Sequence, residues 1–267
     1  MNQTDQPDEA RARSERHEPE QHLPEQLAAF MRGRALRLRI VRHAETEHNT
    51  NHLMQGWSDS PITERGRAQI GAVAEHLARH RFDLAFSSDL QRTRTTAEGI
   101  LAVLDPQPPI EYLEVLREWN FGSHEERPAS EVWQEVIVEH GFEVDRELTA
   151  LRAIGEQVGW RGLFDTIAKL DSSGQAEQAV ATVMRADAAL EHVIRAAAEV
   201  EGDAGSDGEV EVLIVSHGGF ITSLLRQLVP ELTPDVILPN CSVSTVSIAA
   251  GTTVWRLDGL GEIADAR

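Results

Sequence analysis

Short runs of apolar residues recur along the chain and predict buried strands. Runs of strand length, bounded by polar or turn-forming residues, cover residues 36–41, 82–88, 111–116 and 212–216. Two further runs, at 243–248 and 253–257, are close enough in sequence to form an antiparallel hairpin. These runs predict a sheet that ends in a C-terminal hairpin.

Between these runs, apolar residues recur three or four positions apart, which predicts amphipathic helices. The helices are expected from Ile70 to Ala78 with Thr63 as the N-cap, at 90–104, at 175–200 and at 221–228. The residues expected to face inward from the long helix at 175–200 are Val180, Val183, Met184, Leu190, Val193 and Ile194. Alternating helices and strands predict an α/β fold, a three-layer sandwich in which helices flank a mostly parallel central sheet.

Two segments depart from this alternation. Residues 123–178 carry aromatic helical turns and several glycines but no strand pattern, and we interpret them as a helical cap inserted over the carboxyl edge of the sheet. Residues 1–34 are polar and charged without periodicity, which predicts a flexible N-terminal tail. The rest, residues 35–267, is expected to form one domain that contains the cap.

Composition narrows the functional classes. The 44 acidic residues against 25 basic ones give a net charge of −19, which argues against a nucleic-acid partner. No apolar run reaches the roughly 18 residues of a membrane span, and the N-terminus lacks an apolar signal segment. Cys241 is the single cysteine, which excludes an internal disulfide and a multi-cysteine metal site. We therefore expect a cytoplasmic protein without a membrane partner.

Residues with ionisable or nucleophilic side chains follow the predicted strands. Arg42 and His43 end the first strand, and residues 88–92 follow the second. Glu118 follows the third strand, and His217 follows the strand at 212–216 with two glycines after it. Ligands bind at the carboxyl ends of strands in open α/β sheets, so these residues are expected to share one site. The glycines allow a tight turn into a helix whose N-terminal amides can bind an anion.

A longer pattern connects these residues. It consists of Arg42-His43-Ala44-Glu45-Thr46 with Asn49, Gln55-Gly56-Trp57-Ser58-Asp59-Ser60-Pro61-Ile62-Thr63, Ser87-Ser88-Asp89-Leu90-Gln91-Arg92-Thr93 with Thr96-Ala97, Leu116-Arg117-Glu118-Trp119-Asn120-Phe121-Gly122, and Val215-Ser216-His217-Gly218. In these residues and their order, the chain resembles the histidine phosphatase superfamily, which includes cofactor-dependent phosphoglycerate mutases. The pattern is most similar to the bacterial broad-specificity phosphatases of that superfamily.

The resemblance implies a phosphoric monoester hydrolase of the histidine acid phosphatase type. It would hydrolyse a small phosphorylated substrate through a phosphohistidine on His43, with Glu118 as the proton donor and without a metal or cofactor. The resemblance selects Arg92 over Arg94 as the second arginine, and His217 is expected to be cationic. The residues implied for phosphate binding are Arg42, Asn49, Gln55, Gly56, Arg92, His217 and Gly218.

Other interpretations remain open at this point. One is a cofactor-dependent phosphoglycerate mutase, although no paired-arginine segment of the kind found in those mutases occurs in residues 123–178. Another is a catalytically silent member that binds a phosphorylated ligand. A metal site at His43, Glu45, Glu47 and His48 is a weaker alternative. The edge of the final hairpin also leaves self-association into a homo-oligomer open.

The cap is where the chain departs from the family pattern. Glu126 stands where relatives usually have glycine, and His124 is interpreted as a partly exposed loop residue. The aromatic residues Trp119, Phe121, Trp133, Trp160 and Phe164 either enclose a leaving group or form the core of the cap. For Trp133 and Phe164 we favour the core.

Overall fold

Six strands form the central sheet of the computed structural model, which describes residues 31, 33–145, 148–200, 208–232 and 236–264. The strands are β1 (Ala35–Arg42), β2 (Leu84–Ser88), β3 (Ile110–Leu113), β4 (Glu209–Ser216), β5 (Val243–Ile248) and β6 (Trp255–Glu262). Their spatial order is β3-β2-β4-β1-β5-β6. The pairs among β1 to β4 are parallel, whereas β5 pairs antiparallel with both β1 and β6. The predicted mostly parallel sheet with a C-terminal hairpin is confirmed.

Helices cover both faces of the sheet. Those in the described part of the chain are α1 (Glu47–Thr50), α2 (Glu64–Leu77), α3 (Gln91–Leu101), α4 (Ala129–Glu139), α5 (Ala150–Leu170), α6 (Ala179–Glu199) and α7 (Gly218–Leu228). Leu38 and Ile40 of β1 share a buried cluster with α6 and α7. Val41 shares a second cluster with α2 and α3 on the opposite face. Side chains of successive strand residues point to opposite faces, so β1 helps to build both cores and the three predicted layers result.

The predicted cap consists of α4 and α5. Its core contains Val132, Val136 and Ile167 together with Trp119 and Phe121 from the segment that leads into it. Trp133 and Phe164 pack against this core, as the sequence suggested. The cap therefore rests on the segment that carries Glu118 and Trp119.

The buried face of α6 differs from the prediction. Val180 and Met184 were expected to face inward but are 60% and 66% exposed. Leu190, Val193 and Ile194 are buried as predicted. Small residues, Ala186 and Ala189 among them, complete the buried face and turn the two larger side chains towards solvent. The prediction of the buried face counted only large apolar residues and not alanine. It therefore placed the wrong residues on the buried face at the start of this helix.

The end of β3 and the end of the N-terminal tail differ from the prediction. β3 stops at Leu113, and the chain continues as a 3-10 helix at Glu114–Leu116 that buries Leu116 in the core. Glu118 therefore follows a helical turn instead of a strand. The predicted tail lies outside the described residues except at its end, where Met31 is buried in the core and Arg34 donates to the carbonyl of Val200.

Candidate active site

His43 and His217 lie side by side at the carboxyl edge of the sheet. The strands that precede them, β1 and β4, are adjacent and parallel, with Arg42 paired to Ser216 at their ends. The two imidazole centroids are 5.2 Å apart, and the backbone N–H of His43 donates to the carbonyl of Ser216 at 2.9 Å. Residues 174 positions apart in the chain are therefore neighbours because their strands are.

The contacts of His43 fix its tautomer and its charge. Nδ1 lies 2.8 Å from the carbonyl oxygen of Ala44, which keeps the proton on Nδ1 and leaves the lone pair on Nε2. Burial, reinforced by the cations Arg92 and Arg42, holds the pKa of His43 well below its ordinary value. The imidazole is therefore neutral at neutral pH, which is the form that can attack phosphorus.

His217 is fully buried at the N-cap of α7. Burial, followed by the charge of Arg92, lowers its pKa well below the ordinary value. The surrounding protein groups therefore favour a neutral His217 over the expected cation, and the positive charge of the site is carried by arginine. Nε2 lies 2.9 Å from the hydroxyl of Ser88, and Nδ1 is buried without a partner among the described residues.

Two guanidinium groups flank the histidines. Arg92 is 1% exposed, and its terminal nitrogens donate to the carbonyls of Ser58 at 2.8 Å and Gly56 at 2.5 Å and to the carboxylate of Asp59 at 2.8 Å. Arg42 donates through Nη1 to the carbonyl of Leu238 at 2.5 Å. The Nε atoms of both arginines are buried without a partner in the described part of the chain. Each arginine thus fixes a loop and keeps one N–H donor unused.

Arg94 lies elsewhere. Its guanidinium is 4.0 Å from the centroid of the Tyr112 ring, and its Nε donates to the carbonyl of Asp89. Arg92 and Arg94 are about 200° apart around the helix axis, so only one of them faces the histidines. That residue is Arg92.

Glu118 occupies the N-terminus of α7. Its Oε1 accepts N–H groups from Trp119 at 3.0 Å and Phe220 at 2.7 Å, and its Oε2 accepts the N–H of Gly219 at 2.9 Å. The first-turn amides of a helix are unpaired within the helix and favour a negative charge. A β-carbon on Gly219 would come within 2.9 Å of Oε1, so glycine is needed for this approach.

The remaining candidate residues surround these groups. Asn49 accepts a hydrogen bond from Asn240, whose Nδ2 also donates to the carbonyl of His43 at 3.0 Å. Gln55 accepts from the hydroxyl of Thr46 and from Asn49. These amides brace the loops around the nucleophile candidate, and their described hydrogen bonds are to protein groups.

The two glycines of the set contact the arginines directly. The carbonyl of Gly56 accepts from Arg92, and a β-carbon at Gly56 would lie 2.0 Å from the backbone oxygen of Trp119. A β-carbon at Gly218 would lie 3.3 Å from Nε of Arg42. Close packing restricts Gly56 to glycine, whereas the contact at Gly218 is tight and involves only the side chain of Arg42.

Comparison with known proteins identifies the family. The model of the histidine phosphatase superfamily (branch 1) matches residues 38–159 and 151–261. The chain belongs to the histidine phosphatase superfamily. The predicted resemblance is thereby confirmed, and the protein is an enzyme of that superfamily.

Individual members of the superfamily show how far the similarity extends. Fructose-2,6-bisphosphatase TIGAR of Bos taurus is 31% identical over 237 residues, which cover 83% of this chain and 87% of that protein. The phosphoglycerate mutase of Bacillus anthracis superimposes with a TM-score of 0.75 and 27% identity over 87% of this chain and 95% of that one. A mycobacterial glucosyl-3-phosphoglycerate phosphatase superimposes with a TM-score of 0.62 and 26% identity. The superposition covers 86% of this chain and 100% of that one. This superfamily member is thus similar to both phosphatases and a mutase.

Sequence reasoning did not assign a role to several residues that organise the site of this superfamily member. Glu125 accepts hydrogen bonds from the backbone N–H groups of Gly56, Trp57 and Phe121. Arg185 donates to the backbone oxygens of Arg117 and Glu118. These contacts join segments far apart in sequence, so local spacing carried no signal for them.

The loop interpretation of His124 is wrong, since His124 is 1% exposed. Its Nε2 lies 3.1 Å from the carbonyl of Ile167, and its Nδ1 lies 3.1 Å from Nη1 of Arg127. Glu126, which stands at the family's glycine position, has a φ of 63°. Glycine suits this left-handed conformation better than glutamate does.

A cavity of about 310 Å³ opens beside the histidines, between α7 and the cap. It is lined by Arg42, Glu118, Trp119, Trp160, Leu163, Phe164, Gly218, Gly219, Thr222, Ser223, Arg226, Val236, Ile237 and Leu238. Phe164 stacks on Trp119 with their centroids 4.2 Å apart, so this aromatic residue serves the cap core and the cavity wall together. Cys241 does not line this cavity; its backbone N–H donates to the carbonyls of Arg42 and His43, and burial raises the pKa of its thiol to about 12.

Two further structural observations concern a metal site and a membrane-spanning helix. Within the described ranges, no group of three His, Cys, Asp or Glu side chains is arranged to hold a metal ion. The helices in the same part of the chain lack the length and apolar character of a membrane span.

Proposed function

We propose that the protein is a phosphoric monoester hydrolase of the histidine acid phosphatase type, with His43 as the nucleophile. One observation carries this proposal: the buried Nε atoms of Arg42 and Arg92 and Nδ1 of His217 have no partner among the described residues. Buried polar groups are normally hydrogen-bonded, so several unused nitrogens around a neutral histidine indicate an anionic ligand. The oxygens of a phosphoryl group match this set.

The proposed first step transfers the phosphoryl group to the protein. Nε2 of His43 forms a bond to phosphorus while the bond from phosphorus to the ester oxygen breaks. Arg42 and Arg92 neutralise the charge on the equatorial oxygens, as a phosphoryl-transfer transition state requires. Nδ1 of His43 becomes more acidic in the phosphohistidine, and the carbonyl of Ala44 stabilises its proton.

Glu118 is the proposed proton donor to the ester oxygen. Its Oε2 accepts only one N–H among the described hydrogen bonds, so it has room for a proton directed at the leaving group. After the transfer, the carboxylate is stabilised by the amides of Gly219 and Phe220 at the N-terminus of α7. In the second step the carboxylate takes a proton from water, the water oxygen bonds to phosphorus, and the bond from His43 to phosphorus breaks.

Asn49, Gln55, Gly56 and Gly218 are proposed to line the phosphate site. The hydrogen bonds from Asn240 to Asn49 and to the carbonyl of His43 support this, because they tie the amides to the nucleophile segment. The proximity of Gly218 to Arg42 supports the same assignment.

Hydrolysis is preferred over a phosphoglycerate mutase reaction. Among the described cap residues, Arg152 and Arg161 do not form a pair: Arg152 has an 82% exposed side chain, and Arg161 stacks on Trp160. Arg146 lies outside the described residues. The bovine fructose-2,6-bisphosphatase and the mycobacterial phosphatase support hydrolysis, and the Bacillus anthracis mutase keeps the alternative open to test.

Initial rates over a panel of phosphate monoesters test the proposal. We expect hydrolysis by the protein, none by His43→Ala, and normal rates for the matched surface variant His192→Ala. Acid-labile phosphate on the protein during turnover would identify phosphohistidine. Rapid isomerisation of 3-phosphoglycerate with its bisphosphate cofactor would favour the mutase. Binding of phosphate esters without any turnover would favour the silent, ligand-binding alternative.

A further inference from the structure

The two ring nitrogens of His217 have different surroundings. Nε2 lies 2.9 Å from the hydroxyl oxygen of Ser88, whereas Nδ1 is buried without a partner among the described residues. A neutral imidazole carries a proton on one nitrogen and a lone pair on the other. The tautomer of His217 therefore decides whether Nδ1 offers a ligand a hydrogen-bond donor or an acceptor.

Strand pairing holds Ser88 next to His217. β2 ends at Ser88 and runs parallel to β4, with Ser87 opposite Val215. Ser88 and His217 are both 0% exposed, so bulk water does not compete for their side chains. The carbonyl of Ser88 accepts the hydroxyl of Thr93 at 2.9 Å, which fixes the backbone at this point. The hydroxyl of Ser88 is thus held against Nε2 by the sheet itself.

The hydrogen bonds of the Ser88 hydroxyl indicate where its proton lies. Its oxygen accepts the backbone N–H of Leu90 at 3.4 Å, and this contact uses a lone pair. Among the described contacts, Nε2 of His217 is the acceptor that remains for the hydroxyl proton. If Nε2 carried a proton itself, the buried hydroxyl proton would have no described acceptor, which costs free energy. Donation from Ser88 to Nε2 places the imidazole proton on Nδ1.

A proton on Nδ1 suits the ligand proposed for the site. The oxygens of a phosphoryl group are negatively charged acceptors, so a neutral histidine binds them through an N–H. The opposite tautomer would direct a lone pair at the phosphoryl group and repel it. The partnerless Nε atoms of Arg42 and Arg92 are N–H donors too, so a protonated Nδ1 completes a set of donors.

We propose that Ser88 is a positioning residue that holds His217 in the tautomer with its proton on Nδ1, so that His217 donates a hydrogen bond to the phosphoryl group. This inference rests on the proposed phosphatase function and adds a residue that acts through His217 without touching the substrate. The hydroxyl of Ser88 donates to Nε2, and the imidazole consequently donates from Nδ1. The donor is in place before the phosphate arrives.

Ser88→Ala removes the hydroxyl, and Ser87→Ala is its matched control. Ser87 is also 0% exposed, and its hydroxyl donates to the carbonyl of Ser88 at 2.8 Å. Its side chain points to the other face of the sheet, because successive strand residues alternate. Both substitutions delete one buried hydroxyl from the same strand, but only Ser88→Ala removes the partner of Nε2.

The tautomer is measured by 15N NMR of the ring nitrogens in the ligand-free protein at neutral pH. The signals of His217 are identified by their loss in His217→Gln. We expect a protonated Nδ1 and an unprotonated Nε2 in the wild type and in Ser87→Ala, and a shift of the proton towards Nε2 in Ser88→Ala. A wild type with the proton on Nε2, or an unchanged tautomer in Ser88→Ala, would overturn the inference.

The consequence for phosphate is measured as the calorimetric affinity for inorganic phosphate. We expect Ser88→Ala to bind about tenfold more weakly, as the loss of one hydrogen bond to a charged group would give, and Ser87→Ala to bind normally. In the background of His217→Gln, Ser88→Ala should have no further effect, since it acts through His217. Equal losses in both backgrounds would show a merely structural role and overturn the inference.

Failure of the inference and failure of the proposed function give different results. If the wild type hydrolyses phosphate monoesters but Ser88→Ala matches Ser87→Ala in tautomer and affinity, the inference fails and the phosphatase function stands. If the wild type hydrolyses none of them, the proposed function fails. The tautomer and the phosphate affinity then decide the role of Ser88 separately, and a wild type that binds no phosphate overturns that role as well.

Discussion

Replacing Arg185 by methionine should both destabilise the protein and impair the proposed proton donor. Arg185 lies on α6 and pairs with Glu177 at 2.7 Å, with side-chain exposures of 13% and 16%. It also donates to the backbone oxygens of Val115, Arg117 and Glu118, at 3.1, 2.5 and 3.0 Å. One guanidinium therefore holds the segment that positions Glu118.

The substitution lowers the free energy of unfolding because it leaves the carboxylate of Glu177 without its partner. Removing one partner of a buried ion pair costs about 3 to 5 kcal/mol, and the residual exposure of this pair favours the lower value. We expect the free energy of unfolding to fall by about 3 kcal/mol and the Tm by about 6 to 12 °C. Adding Glu177→Gln to Arg185→Met should restore about 1 kcal/mol of the free energy of unfolding, because the double variant has no unpaired carboxylate.

Urea unfolding measures the stability change, with Arg195→Met as the matched control. Arg195 is on the same helix and also pairs with a glutamate, Glu191, but these side chains are 54% and 44% exposed. That control should cost under about 0.5 kcal/mol. Equal costs for the two variants would refute the reasoning.

Arg185→Met also has a kinetic signature. An alkoxide leaving group needs a proton, whereas p-nitrophenolate leaves without one. The variant should therefore lose more kcat with an alkyl phosphate than with p-nitrophenyl phosphate. Parallel losses with both substrates would mean that Arg185 does not position Glu118.

Three further outcomes are expected. His43, His76, His80 and His217 have lowered pKa values when folded, so the unfolded chain binds more protons below pH 6.5 and stability falls on acidification, with His43 contributing up to about 1.4 kcal/mol per pH unit; urea titrations between pH 7 and 5 check this, and His43→Asn should reduce the slope by up to that amount. Glu126→Gly should raise the free energy of unfolding by about 1 kcal/mol because it relieves a φ of 63°, and a lowered midpoint would contradict this. Gly56→Ala should cost about 3 kcal/mol in the same assay, since its β-carbon would lie 2.0 Å from the oxygen of Trp119.

The central strands were predictable because they are largely buried on both faces. β4 is a nearly continuous apolar run, and it lies at the centre of the sheet between β2 and β1. The short length of β3 was not predictable, because apolar residues at Leu113 and Leu116 suit a strand and a helical turn equally. The 3-10 turn becomes favourable only when Leu116 meets the core formed with α6 and α7.

The site was predictable where chemistry is concentrated at strand ends, as at His43 and His217. Charge states were harder, because the neutrality of His217 depends on burial and on Arg92, which is distant in sequence. The burial of His124 depends likewise on a carbonyl of α5, at Ile167. Such properties arise from tertiary contacts that no local pattern contains.

The position of β1 has a consequence for synthesis of the protein on the ribosome. β1 pairs with β4 and β5, whose residues begin at Glu209 and Val243, so it has no neighbours in the sheet until most of the chain has been made. Synthesis proceeds at about 5 to 20 residues per second, so roughly 10 to 40 seconds pass between the synthesis of β1 and that of β5. The apolar side chains of β1 have no strand to pair with in that time. During that interval the segment with the proposed nucleophile has been synthesised, but the other residues of the candidate site are not yet in place. We expect nascent chains shorter than about 250 residues to bind chaperones and to lack phosphatase activity.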